Sequence, residues 1–218
     1  MAAPKYTKEL ASKYSNQWAT AAIAPKWKKH ADWAVDTIVR NKARYEYVSK
    51  VTGVPWYVIA VIHYREATFS FKGHLHNGDP LTARTRKEPK GYPKTGNPPF
   101  TWEYSAIDAL KIKNLHTRKN WSIEDIAWVL ETYNGKGYLQ TGKTNPYLWS
   151  GTQHYRIGKY TTDHGYDARV IDEQFGTMSL LKVLFAATGT PAPVSSANGS
   201  NPASWPIFLN IRSFLFGK

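Results

Sequence analysis

The chain has 218 residues and a formal charge of +13, from 29 Lys and Arg against 16 Asp and Glu. That length suits one good-sized domain, or a domain with a short appendage, whose core is stable without a disulfide or metal. The absence of cysteine excludes a disulfide scaffold, thiol catalysis and Cys-ligated zinc, and the excess positive charge favours polyanionic partners: nucleic acid, anionic membranes or bacterial cell walls.

Residues 5 to 22 read as a first helix, and a second helical pattern runs from about Lys26 to Lys50. Trp27, Ala31, Ala34, Ile38 and Tyr45 fall near one face of it. Gly53 and Pro55 end one helix and begin the next. The segment from Pro55 to Ala67 is apolar on most sides, as a buried central helix would be, and it ends in His63-Tyr64-Arg65-Glu66. Its apolar run, Trp56 to Ile62, is too short to span a bilayer. Residues 72 to 99 are rich in Gly, Pro, Lys and Asn, and predict a long loop or a short irregular sheet. Helix returns near Thr101, with Trp102, Ala106, Ala109 and Leu110 inward. Ser122 caps another helix, with Asp125 three residues on. Ile123, Ile126, Ala127, Leu130 and Tyr133 keep helical spacing until Asn134-Gly135 stops it. A last helix is predicted over Ile171 to Ala187. Residues 189–204 have the composition of a flexible linker, and 205–218 form an apolar, basic tail. The expected domains are therefore 1–188, a linker and a tail. The fold class is mainly α, with a small irregular or β part near residues 70–100.

Glu66 is the strongest chemical candidate. A carboxyl at the end of an apolar helix has its charged form disfavoured, so its pKa rises. A carboxylic acid still protonated near neutral pH can protonate a leaving oxygen, which glycosidic cleavage requires. The competing use is a helix-end Glu paired with Arg65 or a lysine. Nine Trp and fourteen Tyr allow sugar stacking as well as core packing. His74 and His76, with Asp79, are ordinary metal-ligand types, but no further strong ligand lies at a recognisable spacing, so no metal or cofactor is expected.

His63-Tyr64-Arg65-Glu66-Ala67-Thr68-Phe69 resembles the acid motif of the lysozyme-like superfamily. Glu131-Thr132-Tyr133-Asn134-Gly135-Lys136-Gly137 is similar to the Tyr-Asn-Gly turn of its goose-type lysozymes and soluble lytic transglycosylases. The segments His74–Leu81 and Pro98–Leu110 look like those of a lysozyme-like family of phages and bacteria. Together the resemblance spans roughly residues 50 to 180. It implies a lysozyme-like helical domain and an endolysin-like muramidase acting on the β-1,4 bond between N-acetylmuramic acid and N-acetylglucosamine. Glu66 would be the acid, Asp79 the base or charge stabiliser, and Thr85 the residue that orients water. The Glu-to-Asp gap is four residues longer than in phage-type lysozymes. Tyr133, Asn134, His76 and Tyr64 would bind substrate.

A transglycosylase would instead use Glu66 alone and close an anhydro sugar. The same residues would also suit a chitinase, or a non-catalytic basic module that binds the wall or nucleic acid. The expected partner is bacterial peptidoglycan, with an anionic wall or membrane surface beside it and no nucleic acid. The protein is expected to be a monomer. The opening residues Met1 to Leu10 contain no apolar run of the kind a secretory signal uses. Synthesis in the host cytoplasm and release to the wall by another agent are the expectation.

Overall fold

The computed structural model describes residues 4–161 and 165–196. Among these, the helices are α1 (Lys8–Thr20), α2 (Lys28–Arg40), α3 (Lys42–Thr52), α4 (Trp56–Ala67), α5 (Trp102–Ile112), α6 (Ile123–Tyr133), α7 (Gly137–Thr141), α8 (Pro146–Trp149) and α9 (Thr177–Thr188). Two short strands, β1 (Lys159–Tyr160) and β2 (Tyr166–Asp167), pair antiparallel with Lys159 opposite Asp167. The protein is mainly α with a small β part, as its hydropathy pattern predicts.

Capping side chains mark several helix starts. Thr7, Thr101 and Ser122 accept the N–H of Leu10, Tyr104 and Asp125, each satisfying an amide that has no partner inside its helix. Pro55 opens α4 and left-handed Gly53, at φ 73°, closes α3. Helix α4 is the centre of the molecule: Val58 through Tyr64 are all buried. It packs on α3 and α9, while α3 also packs on α5, α2 on α9, and α1 on α6.

Two helix boundaries are corrected. The predicted helix from 26 to 50 is two helices, broken at Asn41. Its N–H reaches Ile38 O at 3.2 Å and its carboxamide donates to Thr37 O at 2.9 Å, so the Asn side chain competes with the continuing helix. The β pairing lies at 159–167. Residues 70–100 take the irregular form, one of the two expected there, with a single bridge between Gly73 and Pro80. The last helix begins at Thr177, not Ile171, because Asp172 and the carbonyls of Gln174 and Phe175 are held by Arg65.

The end of the described part of the expected linker is docked. Ser195 and Ser196 donate to the fully buried Glu124 at 3.1 and 3.0 Å. A buried carboxylate requires such donors. Residues 197–204 of that linker and the tail at 205–218 lie outside the described residues. No helix among those described is long and apolar enough to cross a membrane.

Candidate active site

Glu66 sits in the last turn of α4, partly buried. Burial raises its pKa to about 7, against a Tyr147 hydrogen bond and the charges of Arg65 and Lys113 that lower it. The carbonyl end of a helix carries partial negative charge and works in the same direction as burial. Tyr147, from α8, donates its hydroxyl to Glu66 Oε1 at 2.9 Å. The phenol therefore occupies one carboxyl oxygen and leaves Oε2 to carry a proton. The Arg65 guanidinium lies 4.8 Å from the centre of the Tyr147 ring and pairs with buried Asp172 at 2.8 Å. Tyr133 is close enough for its own ionisation to be opposed by burial and then by Glu66.

The chain reverses directly after Glu66. Thr68 and Phe69 both adopt left-handed backbone, at φ 47° and 62°. Their N–H groups return to Tyr64 O at 2.9 Å and His63 O at 3.4 Å. This cap satisfies the last carbonyls of α4 and sets the Phe69 ring against those of His63, Tyr64 and Trp33. The following loop then returns to the helix end. Gly78, at φ 78°, lies so close that an added Cβ would stand 2.5 Å from the Glu66 carbonyl oxygen.

Asp79 and Thr85 are both buried in that loop. Asp79 Oδ2 accepts the N–H groups of Arg86 at 2.6 Å and Lys87 at 2.9 Å. Burial pushes the Asp79 pKa up, but these amides, the Lys87 charge and Asn77 outweigh it, and the net direction is down. Thr85 donates to Pro89 O at 2.5 Å and accepts from the Tyr92 N–H at 2.9 Å. Its one hydroxyl proton is thus committed inside the loop, and no hydrogen bond joins either residue to Glu66.

His74 and His76 turn toward α5. His74 bonds Ser105 Oγ at 2.7 Å and Ala83 O at 2.8 Å, and His76 bonds Asp108 at 2.9 Å. Burial lowers the His76 pKa against the raising effect of Asp108. His76 is 6% exposed, so its position is that of a loop anchor rather than a sugar contact. His74 and His76 share Ser105 Oγ, at 2.7 and 3.4 Å, with their rings 5.6 Å apart, whereas Asp79 faces the amides of its own loop. Among the described residues, no group of three His, Asp or Glu side chains is arranged to hold a metal.

Of the residues expected to bind substrate, Tyr133 is brought to the Glu66 side and Tyr64 is not. Tyr133 donates to Leu75 O at 2.9 Å, tying α6 to the loop. Tyr64 is 1% exposed, and its hydroxyl accepts from Phe175 N at 2.9 Å and bonds His30 at 2.6 Å. It supports α4 from within the core and cannot touch a ligand. Asn134 is exposed at the rim of a cavity of about 480 Å³, lined also by Arg65, Lys136, Tyr138, Tyr147, Lys159 and Asp172. Tyr147, which lines this cavity, also donates to Glu66, whose neighbour Arg65 lines it too. Sequence inspection missed Tyr147 and the use made of Arg65. The only local signal was Asn145-Pro146 ahead of the tyrosine, since Asn145 caps α8 by accepting the Tyr147 N–H at 2.9 Å.

Comparison of the chain with protein-family models, curated proteins and solved structures finds no match.

Proposed function

We propose that this protein cleaves the β-1,4 bond between N-acetylmuramic acid and N-acetylglucosamine in bacterial peptidoglycan, with Glu66 as the catalytic acid. The observation that carries the proposal is one carboxyl held near pKa 7 by burial and oriented by Tyr147, a residue that itself lines a polar cavity. An acid with that pKa is substantially protonated at neutral pH and can deliver its proton as the glycosidic bond breaks. The +13 charge concentrates such an enzyme at an anionic wall. Action on the wall after release from the cytoplasm belongs to the same proposal.

The engagement of Asp79 and Thr85 within their own loop favours a route that needs no second carboxylate. Glu66 protonates the leaving oxygen. As a carboxylate it then accepts the proton of the muramyl 6-hydroxyl, whose oxygen closes on the anomeric carbon to give a 1,6-anhydro ring. In the hydrolytic route water takes the place of that hydroxyl.

The test is mass spectrometry of muropeptides from digested sacculi, with a Glu66→Gln variant as control. Anhydro ends support the single-carboxylate route and reducing ends support hydrolysis. A general acid contributes roughly 10²–10⁴-fold, so a Glu66→Gln variant with the full lytic rate refutes the assignment. Absence of any fragments from the parent protein leaves a binding module.

A further inference from the structure

The loop that abuts Glu66 continues into an unusually ordered basic segment, residues 84–94. Its backbone is held from inside. Asp79 takes the amides of Arg86 and Lys87, while Asn77 donates to Lys87 O and Glu88 O at 2.9 and 3.3 Å. Thr85 N donates to Tyr92 O at 2.8 Å, and Gly91 N to Thr85 O at 2.8 Å. Arg84 is turned inward, donating to Gly96 O at 2.8 Å. The side chains of Arg86, Lys87, Lys90 and Lys94 are exposed. Among the described residues none of them forms a salt bridge, although the Lys87 charge acts on buried Asp79 and the exposed Glu88 lies in the same segment. Ordering a loop costs conformational entropy, and a loop whose backbone is already held loses less of it on binding than a mobile one.

We propose that this loop is a preorganised docking platform for the carboxylates of peptide stems on the peptidoglycan strand engaged at Glu66. Asn77, Gly78 and Asp79 join this loop to the end of α4 that carries Glu66, and a strand engaged there would extend over the cations. The loop suits other polyanions less well. Its single ring, Tyr92, stacks on His76 at 5.8 Å with Lys94 4.5 Å above it, which removes the free aromatic face that single-stranded nucleic acid uses. No large apolar side chain in residues 84–94 is exposed for insertion into a membrane.

The inference takes the identity of the polymer from the proposed function, and its test uses no turnover. The full chain carrying Glu66→Gln is cosedimented with sacculi freed of phosphate polymers, and with the same sacculi after an amidase has removed the stems. It is compared with a variant that adds R86Q, K87Q, K90Q and K94Q. These four side chains are exposed, so an unchanged Tm is expected, and single Lys90→Gln and Lys94→Gln variants report partial effects if the combined one unfolds.

The expected result is binding to stem-bearing sacculi about ten-fold weaker in the combined variant at low salt, with a flatter salt dependence. Binding to stripped glycan should be the same for both proteins. Equal binding of both to stem-bearing sacculi overturns the proposal. So does an equal loss on stripped glycan, or a deficit seen only on walls that retain phosphate polymers. A parent protein that releases no fragments would defeat the enzymatic assignment while leaving this comparison readable.

Discussion

Replacing Glu66 by Gln keeps the size of the side chain and an oxygen for the Tyr147 hydroxyl, and removes the ionisable proton. The folded protein holds this acid at about 7, against an ordinary 4.5. Below the ordinary carboxyl range both the folded and the unfolded chain are protonated at this position, and the parent's stability is fully present. It is lost as pH rises through about 7, because the unfolded chain has already released a proton that the folded one retains. Once both are ionised, the cost to the folded parent is about 3 kcal/mol, whereas at pH 5 it is about 1 kcal/mol or less. Gln carries no such dependence. For a chain of this length 1 kcal/mol corresponds to roughly 2–4 °C, so the Tm advantage of Glu66→Gln should grow by roughly 5–10 °C between pH 5 and pH 8. Differential scanning fluorimetry of both proteins across that range measures it. A gap that does not change with pH refutes the raised pKa, and with it the physical basis for Glu66 as an acid at neutral pH.

Tyr147→Phe removes the donor that lowers the Glu66 pKa, so the alkaline limb of the rate profile should move to higher pH, and an unmoved limb would separate Tyr147 from the acid. Asp79→Asn replaces a charged acceptor of two loop amides by a neutral one, and should cost about 1–2 kcal/mol in urea unfolding. That contribution is present above the ordinary Asp range and fades as pH falls through the lowered folded value, so the deficit should shrink in acid. The rate of bond cleavage by folded Asp79→Asn should stay within a few-fold, and a loss of several orders of magnitude would return Asp79 to the chemistry. Gly78→Ala forces a Cβ against the Glu66 carbonyl at a positive φ and should cost about 2 kcal/mol or more, with lytic activity falling too. Thr68→Gly relieves a left-handed β-branched residue and should raise stability by roughly 0.5–1 kcal/mol in the same assay.

The helices were legible because their signals are local. Thr101, Ser122, Gly53 and Pro55 mark ends by hydrogen-bond and dihedral chemistry that acts within a few residues. The burial of α4 followed from its apolar composition, and the placement of Glu66 at its end followed from α4's length. The break at Asn41 was not legible, since Ala31, Ala34, Ile38 and Tyr45 keep the spacing of one helix across it, and the carboxamide bond to Thr37 O decides it.

The amino-acid sequence by itself determined a mainly α chain with an acid at the end of a buried helix, because periodicity and capping are properties of neighbours along the chain. Tertiary structure decided what surrounds that acid. Tyr147 is 81 residues away and donates to it, while Asp79 and Thr85, which the lysozyme resemblance implied as its partners, spend their hydrogen-bonding groups on their own loop. Hydrogen-bond partnership depends on which atoms fold to within about 3 Å of each other, and for residues so far apart in sequence only packing of the helices sets that distance.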